Sequence, residues 1–170
     1  STGIEASLTG HLVFATLHTN SAPESIVRLL DMGMDPFNFA DAILGVLAQR
    51  LAKRLCSKCK VSHVATQEEL KSILEEYIAE LRNTEKWKRD PKAAYEAVYR
   101  EWVKLFADEK QQFTLYTPVG CETCGGTGYK GRVGLHELLV GSDTVKKHIQ
   151  EHARVAEIIA TALSENMRTL

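Results

Sequence analysis

Four cysteines arranged as two CxxC pairs limit the possible folds of this chain more than any other pattern in it. The pairs are Cys56-Ser-Lys-Cys59 and Cys121-Glu-Thr-Cys124. Each CxxC turn supplies two sulfurs at chelating distance, and a structural zinc site needs four thiolate or imidazole ligands in a closed tetrahedron. The two pairs therefore predict one zinc ion held by four thiolates. Basic residues near the pairs would offset its negative charge: Lys53, Arg54, Lys58, Lys60, Lys130 and Arg132.

Three other interpretations of these cysteines stay open at this point. The four thiols could be reduced and free of metal. A redox pair usually starts a helix beside a strand, whereas Cys56 follows a predicted helix and Cys121 follows Pro-Val-Gly. The segment CETCGGTGYKG at 121–131 resembles one CxxCxGxG unit of a DnaJ-type chaperone zinc domain. That family uses four such units, and CSKCKVSH at 56–63 lacks the glycines.

Composition narrows the functional class. The chain has 170 residues, with 21 basic and 22 acidic side chains and a net charge of -1, so no global field attracts nucleic acid or an anionic membrane. No run of about 18 apolar residues occurs, and no secretion signal is present. The first residue is not Met, which suggests an excised piece of a longer protein. No GxxxxGK[ST] motif occurs, so these residues lack a phosphate-binding P-loop.

The first third of the chain reads as one strand followed by two helices. The apolar run within HLVFATLHTN predicts a buried strand over residues 11–17. Ser21 and Glu24 have capping-box spacing at the start of a helix that ends near Gly33. Asp35-Pro36 begins a second helix, predicted to continue through FNFADAILGVLAQRLAKRL. This order of elements is typical of an α/β layer.

A change of composition between the cysteine pairs predicts a helical hairpin at about 66–110. Thr66-Gln-Glu-Glu69 is a capping box, and Asp90-Pro91 begins a further helix. Apolar residues recur on one face of each predicted helix. In the first helix they are Leu70, Ile73, Leu74, Tyr77, Ile78 and Leu81, and in the second Tyr95, Val98, Trp102 and Leu105.

The last part of the chain is predicted to contain two strands and two helices. FTLYTPVG at 113–120 and RVGLHELLV at 132–140 have strand composition. Ser142 is a candidate cap for a helix in DTVKKHIQ, and ARVAEIIATALSEN contains a second amphipathic pattern.

Histidines form a second candidate site. His11 and His18 bracket the predicted strand, and the polar residues Thr16, Thr19 and Asn20 lie next to His18. Polar residues directly after a buried strand often contact ligands at the carboxyl edge of an α/β sheet. A histidine with a purely structural role is the other interpretation of this pattern.

Three long segments resemble a known family. They are ASLTGHLVFATLHTNSAPESIVRLLDMGMDP, LGVLAQRLAKRLCSKC and GCETCGGTGYKGRVGLHELL. Together they resemble the C-terminal part of the secretion ATPases of type II secretion and type IV pilus assembly, over about 1–60 and 113–170. The resemblance implies an α/β fold, the C-terminal part of a RecA-like domain, with a mainly helical zinc-binding module. The implied boundaries are 1–55 for the end of the ATPase core, 56–134 for the tetracysteine module with its insert, and 135–170 for a strand and helices.

The resemblance also assigns roles to residues. In this family the segment TGHLVFATLHTN is the His box, in which His18 would approach the γ-phosphate and act as the catalytic, coupling histidine, with His11, Thr16 and Thr19 beside it. Gln49 and Arg50 would contribute to subunit packing, or else lie on a solvated face. Arg132 and Glu137 are expected to be structural. One Zn²⁺ would be bound by Cys56, Cys59, Cys121 and Cys124.

The implied function is that of a motor. Family members work as hexamers at the cytoplasmic face of the bacterial inner membrane, peripheral to it. There they drive a platform membrane protein and other apparatus proteins, without nucleic acid or direct insertion. ATP and Mg²⁺ would bind only in the full-length parent, because the phosphate-binding and acidic segments are missing here, so these residues alone would be an inactive ATPase. Retraction ATPases generally lack the four cysteines, which favours the secretion or pilus-assembly branch.

The alternative function is of a different class. In it, the chain is a zinc-stabilised module that binds protein or nucleic acid and has no motor role. A nucleic-acid site would need a basic, aromatic groove. Trp87, flanked by Lys86, Lys88 and Arg89, is the single suggestive position.

Overall fold

A computed structural model describes residues 2–170 as a mixture of helices and strands. Contacts divide the chain into two compact units, residues 1–50 with 135–170, and residues 51–134. Among the described residues, no helix is both long and apolar enough to cross a membrane. The elements are α1 (Thr2–Leu8), α2 (Ala22–Asp31), α3 (Pro36–Ala42), β1 (Gly45–Leu55), β2 (Val61–Val64), α4 (Gln67–Leu81), α5 (Glu85–Arg89), α6 (Pro91–Phe106), β3 (Thr114–Thr117), β4 (Tyr129–Val140), α7 (Asp143–Gln150) and α8 (Val155–Ser164).

Five helices start where the sequence predicts them. A side-chain oxygen of the residue before the helix accepts a backbone N–H of the first turn at five helices, which satisfies a donor that has no partner within the helix. These capping residues are Ser21, Asp35, Thr66, Asp90 and Ser142. At α4 the predicted capping box is complete, because the Glu69 carboxylate also accepts the Thr66 N–H at 2.9 Å. The predicted caps are therefore confirmed, although at α2 the Glu24 carboxylate accepts the Asn20 N–H instead of completing a capping box with Ser21.

The first unit has a single apolar core. Side chains from α2, α3, β4, α7 and α8 contribute to it, and Leu139 of β4 is fully buried at its centre. The buried members are Ala22, Ile26, Leu30, Phe39, Ala40, Ile43, Leu139, Val145, Ile149, Ile158, Ala162 and Met167. Because these residues come from both ends of the sequence, residues 1–50 and 135–170 fold as one body.

The insert between the cysteine pairs is a helical hairpin, as predicted. Helices α4 and α6 pack together, with the rings of Tyr77 and Trp102 5.2 Å apart. Trp87 of α5 is buried beside Ile78 of α4, so it belongs to the core of the insert. The inward prediction for Leu105 is wrong, because its side chain is 54% exposed at the C-terminal end of α6. Its neighbours Val103 and Ala107 pack against the cluster of Leu70 and Leu74, so Leu105 lies on the other side of α6 from this contact.

A two-stranded ribbon lies beneath the hairpin. Strand β3 was predicted, whereas β2 was not, and the two pair in antiparallel fashion from Val61 opposite Thr117 to Val64 opposite Thr114. The pairing continues beyond Val64, since the Ala65 N–H donates to the Phe113 carbonyl at 2.8 Å. The two ends of the insert are thus held side by side by backbone hydrogen bonds.

The predicted buried strand over residues 11–17 is wrong. These residues have no regular secondary structure, and Leu12 and Phe14 are 69% and 89% exposed. An apolar run becomes a strand only where a neighbouring strand accepts and donates its backbone hydrogen bonds. Among residues 2–170 the sheets contain only β1 with β4 and β2 with β3, so this segment has no strand partner.

The second predicted helix is shorter than expected. It ends at Ala42, and Gly45–Leu55 is strand β1, paired with β4. Gln49, Arg50 and the residues leading to Cys56 therefore lie on a strand, which corrects the prediction that Cys56 follows a long helix. Leu, Ala, Gln and Arg favour helices in isolation, but pairing with β4 and packing of Val46 and Ala48 against the core outweigh that preference.

Candidate metal centre and histidine segment

The four cysteines lie together in the second unit. Cys56 directly follows β1, and Cys59 precedes β2. Cys121 comes directly before a single turn of 3₁₀ helix, and Cys124 is the last residue of that turn. All four sulfur atoms lie within 4.8 Å of one another. The Sγ–Sγ distances are 4.0 Å for Cys56 and Cys121, 3.8 Å for Cys59 and Cys124, and 3.8 Å for Cys121 and Cys124. The prediction that these cysteines meet is confirmed.

The spacing of the sulfurs fits a tetrahedral metal. Zinc–sulfur bonds of about 2.3 Å give a regular tetrahedron with edges of about 3.8 Å. Backbone N–H groups also point at the sulfurs: Gly120 donates to Cys59 at 3.3 Å, and Cys121 and Gly128 donate to Cys124 at 3.2 Å each. Such donors stabilise thiolates, which are the form that binds metal. The donor set therefore suits a closed structural zinc site.

The thiols differ in acidity. The backbone N–H of Cys121 lowers the pKa of Cys124 to about 6, and the N–H of Gly128 adds to the effect. The N–H of Cys124 likewise lowers the pKa of Cys121. Burial raises the pKa of Cys59 to about 11, although the Gly120 N–H opposes this. Four thiolates this close together need a cation to offset their charge, and a divalent metal does so.

Two glycines allow the chain to close around the sulfurs. Gly120 has φ of 109°, and a Cβ there would lie 2.5 Å from the carbonyl oxygen of Gly126. Gly128 has φ of 76°, and a Cβ there would lie 2.5 Å from Cβ of Pro118. Any other residue at these positions would clash and would also strain the backbone. Sequence analysis did not identify the need for Gly120.

Two of the lysines near the cysteines lie over aromatic rings. The Lys60 ammonium lies 4.1 Å from the centroid of the Tyr116 ring, and the Lys53 ammonium lies 5.8 Å from that of Tyr129. Both distances suit a cation–π interaction. Sequence analysis identified the lysines but missed the tyrosines, because Tyr116 and Tyr129 reach them only through the fold.

The histidine segment belongs to the first unit. His18 is exposed, and its carbonyl oxygen accepts a hydrogen bond from the Arg28 guanidinium. It lines an open cavity of about 530 Å³. The other lining residues are Thr19, Asn20, Glu24, Val27, Arg28, Asp31 and Val155. Sequence analysis missed Arg28 and Asp31, which lie on the exposed side of α2, where charged residues are usually only solvated.

The structure brings only part of the predicted histidine site together. His18 and Thr19 line the same cavity, whereas His11 and Thr16 do not. The His11 ring instead lies 3.3 Å from the carbonyl oxygen of Ala6, next to α1. Thr16 is exposed to solvent.

The other predicted residues are placed as follows. Gln49 and Arg50 are exposed on β1, and the Arg50 guanidinium donates to the Asn20 carbonyl at 3.0 Å. Arg50 thus contacts the same loop as His18. Arg132 is exposed on β4, whereas Glu137 on the same strand is buried.

Comparison with known proteins agrees with these features. The profile of the family described as "Type II/IV secretion system protein" matches residues 1–170. The chain is 40% identical over 166 residues to the type IV pilus assembly ATPase PilB of Thermus thermophilus, which is 98% of this chain and 15% of that protein. It is 37% identical over 167 residues to PilB of Pseudomonas aeruginosa, covering 98% of this chain and 24% of that protein.

A type II secretion protein is about as similar. The type II secretion system ATPase E of Vibrio cholerae is 37% identical over 151 residues, covering 88% of this chain and 24% of that protein. The chain thus spans no more than 24% of the length of each of these three relatives. The matched residues extend over both compact units. The chain belongs to the type II/IV secretion system protein family.

Proposed function

We propose that this chain is the C-terminal, zinc-bearing portion of a hexameric motor ATPase that powers type II protein secretion or type IV pilus assembly. One observation carries the proposal. The four sulfurs lie within 4.8 Å of one another in a chain whose relatives are named as pilus-assembly and secretion ATPases. This cluster brings both CxxC pairs to one place, as a shared zinc ion would require.

The proposed organisation follows the compact units. Residues 1–55 are the end of a RecA-like core, 56–134 are the zinc module with its helical insert, and 135–170 complete the core with a strand and helices. The division of the chain at 134/135 supports the second limit, whereas the division at 50/51 lies five residues before the proposed limit at 55/56. When bound, zinc would act as a structural crosslink, because four thiolates leave no open position for a water or substrate. Cys56 and Cys59 would then be tied to Cys121 and Cys124 across the insert.

In the full-length parent, His18 is the proposed coupling residue. His18 lines an open cavity that is also lined by the cationic residue Arg28. A histidine or arginine donor can stabilise the charge that develops on a transferred phosphoryl group. ATP and Mg²⁺ would be bound with residues outside this chain, since no P-loop motif occurs within it. Hydrolysis in the parent would drive a platform protein at the cytoplasmic face of the inner membrane, with other apparatus proteins as partners.

Metal content tests the zinc assignment. Protein purified without added zinc is expected to contain about one zinc per chain by elemental analysis. Its thiols should react with a thiol reagent only after chelation, because metal-bound thiolates are protected. No metal together with four reactive thiols would contradict the structural zinc site.

Substitution of the histidine tests the coupling role. In the full-length parent, His18→Ala is expected to lower ATP turnover by about 100-fold, the effect of removing one donor to a developing charge. Thermal unfolding should be unchanged, since His18 is exposed. His152→Asn is the matched control, because His152 is also exposed in the same unit and lies outside the cavity. Normal ATP turnover in His18→Ala would contradict the coupling role and leave His18 with a structural role.

A further inference from the structure

A buried carboxylate on β4 is not used by the proposed mechanism. Glu137 is 3% exposed and is the one buried acidic residue among residues 2–170. Carboxylates are seldom buried unless hydrogen bonds or a partner charge offset the loss of hydration. Here Oε1 of Glu137 accepts the Ala22 N–H at 2.8 Å, and Oε2 accepts the Leu170 N–H at 3.3 Å.

The first of these contacts is made at the start of α2. Ala22 is the first residue of this helix, where backbone N–H groups have no partner within the helix. A negative charge at this end is also favoured by the helix dipole. Because Glu137 and Ala22 are 115 residues apart in sequence, the contact fixes the helix start from a different part of the unit.

Side chains of α2 in turn hold the segment that precedes it. The Arg28 guanidinium donates to the His18 carbonyl, and the Ser25 hydroxyl contacts the Thr19 hydroxyl. The Glu24 carboxylate accepts the Asn20 N–H at 3.3 Å. Each residue of 18–20 is therefore attached to α2 by a hydrogen bond, so the position of the segment depends on the position of the helix.

We propose that Glu137 is a positioning residue for residues 18–20, acting through its hydrogen bond to the start of α2. The buried carboxylate fixes the first turn of the helix, and the helix holds His18 at the edge of its cavity. Glu137 itself does not line that cavity, so it acts only through the segment. The functional part of this inference rests on the role proposed above for His18.

Amide hydrogen exchange on this chain tests the structural step. Glu137→Ala is expected to speed exchange at residues 18–22 by about ten-fold or more, because a hydrogen bond to a charged acceptor is lost. Glu137→Gln should restore much of the protection, since its amide oxygen can still accept the Ala22 N–H. The control is Glu151→Gln, an exposed carboxylate of the same unit that pairs only with Lys147.

The pattern of exchange decides the result. Faster exchange confined to the region of 18–22 supports the proposal. Unchanged exchange there would overturn it, and so would an equal increase across α7 and α8, which would indicate general destabilisation of the unit.

A double-mutant cycle in the full-length parent tests the functional step. Glu137→Ala is expected to lower ATP turnover with His18 present and to add little to the loss in a His18→Ala background. An equal fold-loss in both backgrounds would overturn the positioning role. If His18→Ala alone left turnover normal, the proposed function of His18 would fail, while selective exchange in Glu137→Ala would still support the positioning of the segment.

Discussion

Removal of the proposed zinc ion by chelation, or the change Cys121→Ser, is expected to loosen residues 53–62 and 113–134 while α7 and α8 remain folded. A structural zinc site supplies about 10–16 kcal/mol of apparent binding free energy at neutral pH, so its loss exceeds the whole stability of most domains. The sulfurs connect the end of β1, the start of β2 and the turn before β4, and these segments contain few buried apolar side chains. Amide hydrogen exchange should show the selective loss of protection.

The turn that contains Cys121 also offers a control. Thr123 lies between Cys121 and Cys124 and is exposed, so Thr123→Ala changes the same turn without removing a sulfur. It should leave both exchange and metal content unchanged. Equal protection in the chelated and metal-bound protein would show that the metal has no structural role.

The change Leu139→Ala is expected to lower the free energy of unfolding of the first unit by about 2–5 kcal/mol. Leu139 is fully buried on β4 and packs within the core formed by α2, α3, α7 and α8. Truncating it removes apolar contacts and leaves a cavity that a close-packed core fills only in part. Urea denaturation followed by far-ultraviolet circular dichroism would measure the loss.

The adjacent residue is the matched control for this prediction. Leu138 has the same side chain on the same strand but is 54% exposed, because successive residues of a strand point to opposite faces. Leu138→Ala should therefore change stability by no more than about 0.5 kcal/mol. Similar losses for both variants would mean that the face of β4 toward the core is assigned incorrectly.

Local signals in the sequence predicted helix starts well. Caps such as Ser21, Thr66 and Ser142 act through hydrogen bonds to residues two or three positions away, so the sequence alone contains all the information. The meeting of the cysteine pairs could also be predicted, because four thiolates at CxxC spacing favour one shared metal wherever the chain between them goes.

Strands depended on partners that the sequence does not reveal. Residues 11–17 have strand composition but no partner strand among residues 2–170, so they remain irregular. Gly45–Leu55 has helix-forming composition but pairs with β4, and this pairing decides its structure. Both errors come from interactions between distant parts of the chain, which periodicity over a short window does not detect.

The same limit applies to the candidate sites. The role of Glu137 depends on a contact across 115 residues, and the need for Gly120 depends on the approach of Gly126 after the turn. Neither residue has a distinctive pattern around it. By contrast, His18 and Thr19 are adjacent to each other and to α2, and their shared cavity follows from that local arrangement.

The pairing of β2 with β3 at the base of the insert bears on how the length of the insert can change. Val64 and Thr114 are directly paired, and paired antiparallel strands lie only about 5 Å apart. A gap of this width can be closed by a two-residue turn, so replacing residues 65–113 with two turn residues such as Asn-Gly would leave a simple hairpin between the cysteine pairs. The register of β2 and β3 would then be kept, so the four sulfurs are expected to meet without the insert. Insertions and deletions at this place are therefore expected to leave the four cysteines in position.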